Sequence, residues 1–133
     1  MAQGRKNSTQ QVGYLRFTVN FNDPGIAGGV NKQWLPDGAV IIGSDVAVVT
    51  PFNGGTTNVL TVGTVGDAPD NIVAAADVTE GTAGLTQNIK PTGAALGPLA
   101  SPKQVYATYS QTGTAATAGK AIVIIKYVCD NDL

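Results

Sequence analysis

The sequence predicts an all-β fold, a jelly-roll-like β-sandwich of about seven or eight strands with at most one short helix. Three observations carry that expectation. Of the 133 residues, 43% are hydrophobic and only 13% charged, about half the usual charged share, so few charges have to be solvated and much of the surface is neutral. Valine, isoleucine and threonine, which suit a pleated, half-buried surface, are abundant. The 17 glycines and 7 prolines fall between short apolar segments, where they make turns, rather than inside long periodic ones. At this length a single domain can bury roughly two-thirds of the surface its unfolded chain exposes. It needs neither disulfide nor metal to fold.

The opening residues 1–11, MAQGRKNSTQQ, have no apolar periodicity and nothing large to bury, so the expectation is a flexible N-terminal arm preceding one domain over residues 12–133. From Val12 to Phe21, Leu15, Phe17, Val19 and Phe21 alternate with Tyr14, Arg16, Thr18 and Asn20, the period-two pattern of a half-buried strand. Asp23, Pro24 and Gly25 close it, and a glycine-rich loop leads to Trp34 and the Pro36-Asp37-Gly38 turn. Ala39 to Thr50 contains Gly43 and Ser44 between two apolar runs, which reads as two short strands or one kinked strand. Pro51 to Gly55 reads as a turn, and the alternation from Thr57 to Gly63 as the second arm of a hairpin with the strand before it. The only plausible helical turn lies between Asp67 and Val78, where Pro69 suits a first-turn position and Ile72, Val73 and Ala76 share a face. Leu85 to Ile89, Gln104 to Gln111 and Lys120 to Cys129 supply the remaining strands. The last, KAIVIIKYVC, is almost wholly apolar and is expected to be central. A small-residue hairpin loop, Thr112 to Gly119, joins the final two.

Composition also restricts function. No histidine is present, which removes the usual general base, nucleophilic triads and most transition-metal sites. The Gly28-Gly29 and Gly54-Gly55 pairs lack the strand, loop and long helix that would place a phosphate on a helix N-terminus. Net charge is −1 and the basic residues are scattered apart from Arg5 and Lys6, so direct nucleic-acid binding is not expected. No apolar run approaches the roughly 18 to 20 residues of a membrane span, and the polar Met1 to Gln11 does not read as a secretory signal. The expectation is a protein without cofactors that stays in the cytoplasm that makes it. Cys129, alone and in an apolar strand, reads as a small core hydrophobe. Asp67 and Asp70, with Asp77 nearby, read first as solvated turn residues, second as a calcium site and last as a catalytic carboxylate pair. Trp34 stands in a loop and is either an exposed anchor for a partner or a plug over the open end of the sandwich. The candidate partner-binding residues are Arg5, Lys6, Gln10, Gln11 and Trp34.

Residues 38–64, GAVIIGSDVAVVTPFNGGTTNVLTVGT, carry a resemblance. A strand ending Val48-Val49-Thr50, a turn with Phe52 and Asn53, a Thr-rich strand ending Val62-Gly63 and a loop with Asp67 follow one another. Near the end, Gly113, Thr114, Ala118 and Gly119 precede an apolar strand with Tyr127. Together these stretches resemble the small capsid cement, or head decoration, proteins of tailed phages. The resemblance implies a jelly-roll protein on the outer surface of the virion, bound to the major capsid protein and to itself as homodimer or homotrimer, with no ligand and no catalytic residue. A low-charge surface with a polar arm fits burial against several partners. The competing expectation is a phage tail module or a receptor- or carbohydrate-binding β-sandwich, for which Trp34 is the available stacking aromatic. A tail-tube or head-completion subunit comes third and an enzyme last.

Overall fold

The computed structural model describes residues 12–129. Seven strands run in order: β1 (Gly13–Asn20), β2 (Val30–Leu35), β3 (Val40–Thr50), β4 (Thr57–Thr64), β5 (Gly84–Ile89), β6 (Lys103–Thr112) and β7 (Lys120–Val128). They form a four-stranded sheet ordered β1-β7-β3-β5 and a three-stranded sheet ordered β2-β6-β4, with every neighbouring pair antiparallel. The all-β sandwich that the sequence predicts is the fold observed. Alternation explains it: Leu15, Phe17 and Val19 of β1, Val46 and Val48 of β3, and Ala121, Val123 and Ile125 of β7 turn inward, against Leu60, Val62, Val105, Ala107 and Tyr109 of the other sheet.

A jelly roll has eight strands in two sheets, and here the eighth is reduced to a point. After β4 the chain loops back and Val73 forms an isolated antiparallel bridge with Val62, so the free edge of β4 is covered by one residue. The helical turn expected between Asp67 and Val78 is therefore absent. Its backbone groups are used elsewhere: Val62 N–H donates to Val73 C=O at 3.0 Å, and Ile72 and Val73 N–H both donate to Val62 C=O. Ile72 and Val73 are both buried, as residues of a covering strand segment rather than of one helical face. The short helix found instead is a 3-10 turn at Gly93–Ala95.

Two further expectations are corrected by the sheet order. β3 and β4 lie in different sheets, as do β6 and β7, so residues 51–56 and 113–119 are crossovers and not hairpin loops. What turns the first corner is Phe52, 2% exposed, whose ring drops between the sheets onto Tyr109 with centroids 4.6 Å apart. The kink expected in β3 is present as one continuous strand with register shifts at Ile41/Gly43 and Val48/Thr50.

Sheet edges are managed differently on each side. β1 would present unpaired carbonyls at its outer edge, and two side chains from β2 take them: Lys32 Nζ donates to Thr18 C=O at 2.8 Å, and Gln33 Nε2 donates to Arg16 C=O at 3.0 Å.

Candidate functional site

Two crossovers that are far apart in sequence interlock at one corner. Asn53 Oδ1 accepts from Thr117 N–H at 2.8 Å and Ala118 N–H at 3.0 Å, and its Nδ2 donates to Thr117 Oγ1 at 2.8 Å. Gly55 N–H donates to Thr114 C=O at 2.8 Å, and Thr56 N–H to Thr112 C=O at 2.9 Å. Gly119 has φ +154° and its Cα abuts the Phe52 ring, so that a Cβ there would overlap Cδ2. Only glycine fits. Phe52, Asn53, Thr114, Ala118 and Gly119, read from two separate stretches of sequence, are thus one structural unit.

The acidic cluster is structural in the same way. Asn71, 3% exposed, and Thr64, fully buried, pair through Thr64 N–H donating to Asn71 Oδ1 at 3.1 Å and Asn71 Nδ2 donating to Thr64 Oγ1 at 2.8 Å. The Thr64 hydroxyl donates onward to Asp67 Oδ2 at 2.8 Å, and Lys103 Nζ pairs with the same oxygen at 2.9 Å. Lys103 and Thr64 hold the Asp67 carboxyl below its ordinary range, against a smaller opposing effect of burial. Among the described residues no group of three Cys, Asp or Glu side chains converges on one point, and Asp70 is a surface residue apart from this network. Glu80, the one glutamate of the chain, is 5% exposed. Burial raises its pKa, partly offset by backbone hydrogen bonds from Glu80 itself and Leu60. Tyr109, beside it, is pushed up by burial and then by the charge of Glu80; its hydroxyl donates to Asn58 Oδ1 at 2.6 Å. Among these groups nothing is arranged around a reacting atom. They tie loops to strands.

Surfaces remain. Trp34 lies in β2, not in a loop, and is 58% exposed. Its register partner is Gln104 of β6, with a shift between Asn31 and Trp34, so it projects from the outer face of the three-stranded sheet and does not plug the sandwich. Arg5, Lys6, Gln10 and Gln11 lie outside the described residues. Cys129 follows β7 and is exposed, which corrects its reading as a core residue: the apolar alternation ends at Val128, and the strand with it. The surface that sequence reasoning missed is the outer face of the four-stranded sheet. Tyr14, Ile42, Val49 and Leu85 are exposed there, with Ala47, Ile122 and Ile124 half-buried between them. Its signal was the apolar residues at both parities of KAIVIIKYVC: the inward set fills the core, and the outward set is left on the surface.

No protein-family model matches the chain, and comparison with curated proteins finds no match. Solved structures do match. A chain of the cyanophage Pam1 capsid asymmetric unit aligns with TM-score 0.68 and 18% identity over 97% of this chain and 92% of that one. A chain of the acidic stable capsid of Helicobacter pylori bacteriophage KHP30 aligns with TM-score 0.64 and 19% identity, covering 90% and 89%. A chain of the Ralstonia phage GP4 capsid aligns with TM-score 0.56 and 18% identity, covering 98% and 92%. The fold is shared with chains of phage capsids. The alignment runs nearly end to end in both partners, so the whole sandwich is shared and not one hairpin of it.

Proposed function

We propose that this chain is a structural virion protein, a capsid cement or decoration protein that binds the outside of a phage head and clamps neighbouring major capsid subunits of the DNA-filled shell. The observation that carries the reading is the fold likeness to chains of three phage capsids over about nine-tenths or more of each chain. The chemistry agrees with it. The carboxylates described above hold loops, Lys32, Lys103 and Lys126 each pair with an aspartate of the same chain, and the other basic residues of the described chain, Arg16 on β1, Lys90 after β5 and Lys120 on β7, stand on three separate segments and make no clustered basic run of the kind that follows a nucleic-acid backbone. A clamp works by adding buried area across an edge between subunits. A symmetric oligomer that touches two of them holds through effective concentration even when each contact is weak.

Within this reading the protein is made in the host cytoplasm, is not an enzyme, and sits on the outer surface as a homodimer or homotrimer. Arg5, Lys6, Gln10, Gln11 and Trp34 are its proposed contacts with the coat. The test compares particles with and without the protein through a temperature ramp that follows genome release, with imaging of where the chain sits. Earlier release from particles lacking it supports the clamp; equal release, or density only in the tail, refutes it. Deleting residues 2–10 should weaken attachment to heads while leaving the isolated domain's melting temperature unchanged. The second reading, a tail or carbohydrate-binding module, is favoured by one observation, the exposed Trp34 on an open sheet face. Glycan-array binding that Trp34→Ala abolishes would establish it.

A further inference from the structure

We propose that the outer face of the four-stranded sheet is where two copies of this chain meet, stacked about a two-fold axis that runs along the strands between β7 and β3. Four of the eight exposed large hydrophobic residues among those described, Tyr14, Ile42, Val49 and Leu85, lie on this one face. The occupant is indicated by how the face is patterned. One register row crosses the sheet as Thr18, Ile122, Ala47 and Leu85, and the next as Arg16, Ile124 and Asp45. A two-fold axis along the strands exchanges β1 with β5 and β7 with β3. In the first row it sets each Ile122 over the Ala47 of the other copy and each Leu85 over a Thr18, large against small on both sides of the axis. In the second row it carries Arg16 over the β3–β5 side of the other copy, next to Asp45 and Gln87. Among the described residues Arg16 has no ion pair. Asp45 is bound by Lys126 at 3.3 Å and by Asn88 N–H at 3.0 Å, so Arg16 would meet a carboxylate already fixed in place. An arbitrary partner would not require this match of the face to itself; an isologous contact does.

The area agrees. Four strands about 4.8 Å apart and about eight residues long at about 3.4 Å each present roughly 500 Å² in projection. Side-chain relief brings this near the roughly 800 Å² per partner of a standard interface. The inference does not rest on the capsid reading.

Sedimentation velocity of the full chain tests it. A dimer is expected at roughly 100 µM, and Leu85→Lys and Arg16→Glu should each raise its dissociation constant at least about tenfold. Both side chains are on the surface, so the melting temperatures of the separated monomers serve as the check on folding. Trp34→Ala, on the opposite sheet, should leave the dimer intact. A monomeric wild-type chain, a trimer, or a dimer broken by Trp34→Ala but not by Leu85→Lys overturns the proposal. Uptake onto purified heads is scored separately: a dimer of this geometry that heads do not take up would remove the cement reading and leave the dimer surface standing.

Discussion

Asn71 is the residue whose loss tests most directly how the sandwich closes its second sheet. Asn71→Ala removes two hydrogen bonds, to the backbone N–H and the hydroxyl of Thr64, and leaves that N–H buried without a partner, since Thr64 has no accessible surface. An orphaned buried donor costs about 1–3 kcal/mol and a lost neutral bond about 1, so the expected destabilisation is about 2–4 kcal/mol. Unfolding entropy of about 2.1 cal/mol/K per residue amounts to about 0.28 kcal/mol/K for this chain, which converts the loss to a drop in melting temperature of about 7–14 °C. Asn71→Asp discriminates further. Its Oδ1 can still accept from Thr64 N–H, but the second oxygen replaces a donor facing Thr64 Oγ1, whose own proton goes to Asp67. At neutral pH this variant should therefore lose at least as much as the alanine. It should recover as pH falls, because a buried carboxyl raised above its ordinary pKa favours the fold in its protonated form. Calorimetry over a pH series reads both. A loss under about 1 kcal/mol for Asn71→Ala would mean that water replaces the amide and that the network does not hold the loop.

Other outcomes follow from the same contacts. Glu80, raised by burial, contributes stability that is present below its unfolded pKa and lost as pH rises through its folded one. Glu80→Gln should flatten the melting profile just above the ordinary glutamate range, whereas Asp67→Asn, removing a lowered carboxyl, should flatten it just below the ordinary aspartate range. Phe52→Ala should cost about 3–5 kcal/mol in urea unfolding, because the ring is buried and stacked on Tyr109. Gly119→Ala should destabilise through the clash with that same ring, and combining the two substitutions should cost less than their sum. Cys129 should react with a thiol reagent in the native protein at one equivalent per chain.

Strand positions were legible where only one face of a strand is buried, as in Leu15, Phe17 and Val19 against Tyr14, Arg16 and Thr18. Connectivity was less so. Whether Pro51 to Thr56 makes a hairpin or a crossover depends on where Phe52 finds its cavity, and the walls of that cavity, Tyr109 and Gly119, are more than fifty residues away in the chain. The segment after Asp67 misled for a related reason. Apolar residues at Ile72, Val73 and Ala76 fit a helical face, but the backbone partner at Val62 and the Asn71–Thr64 pair decide the conformation, and neither shows in local periodicity. Of the candidate contacts, Trp34 was identified as a possible anchor from its neighbours, although its strand was not. The apolar outer face could not be separated from the core until the sheet order fixed which parity of β7 looks inward.

The pairing of β1 with β7 has a mechanical consequence. Gly13 faces Tyr127 across the ladder, so whatever precedes β1 and whatever follows β7 leave the sandwich from the same corner, side by side. A pull that separates those two ends loads the ladder one rung at a time and unzips it. A pull on the leading end alone, with the body held by its sheet face, drags β1 along its own axis. All eight register pairs from Gly13↔Tyr127 to Asn20↔Lys120 then bear the load together. The same strand is weak as a hinge and strong as a strap, and the direction of the force decides which.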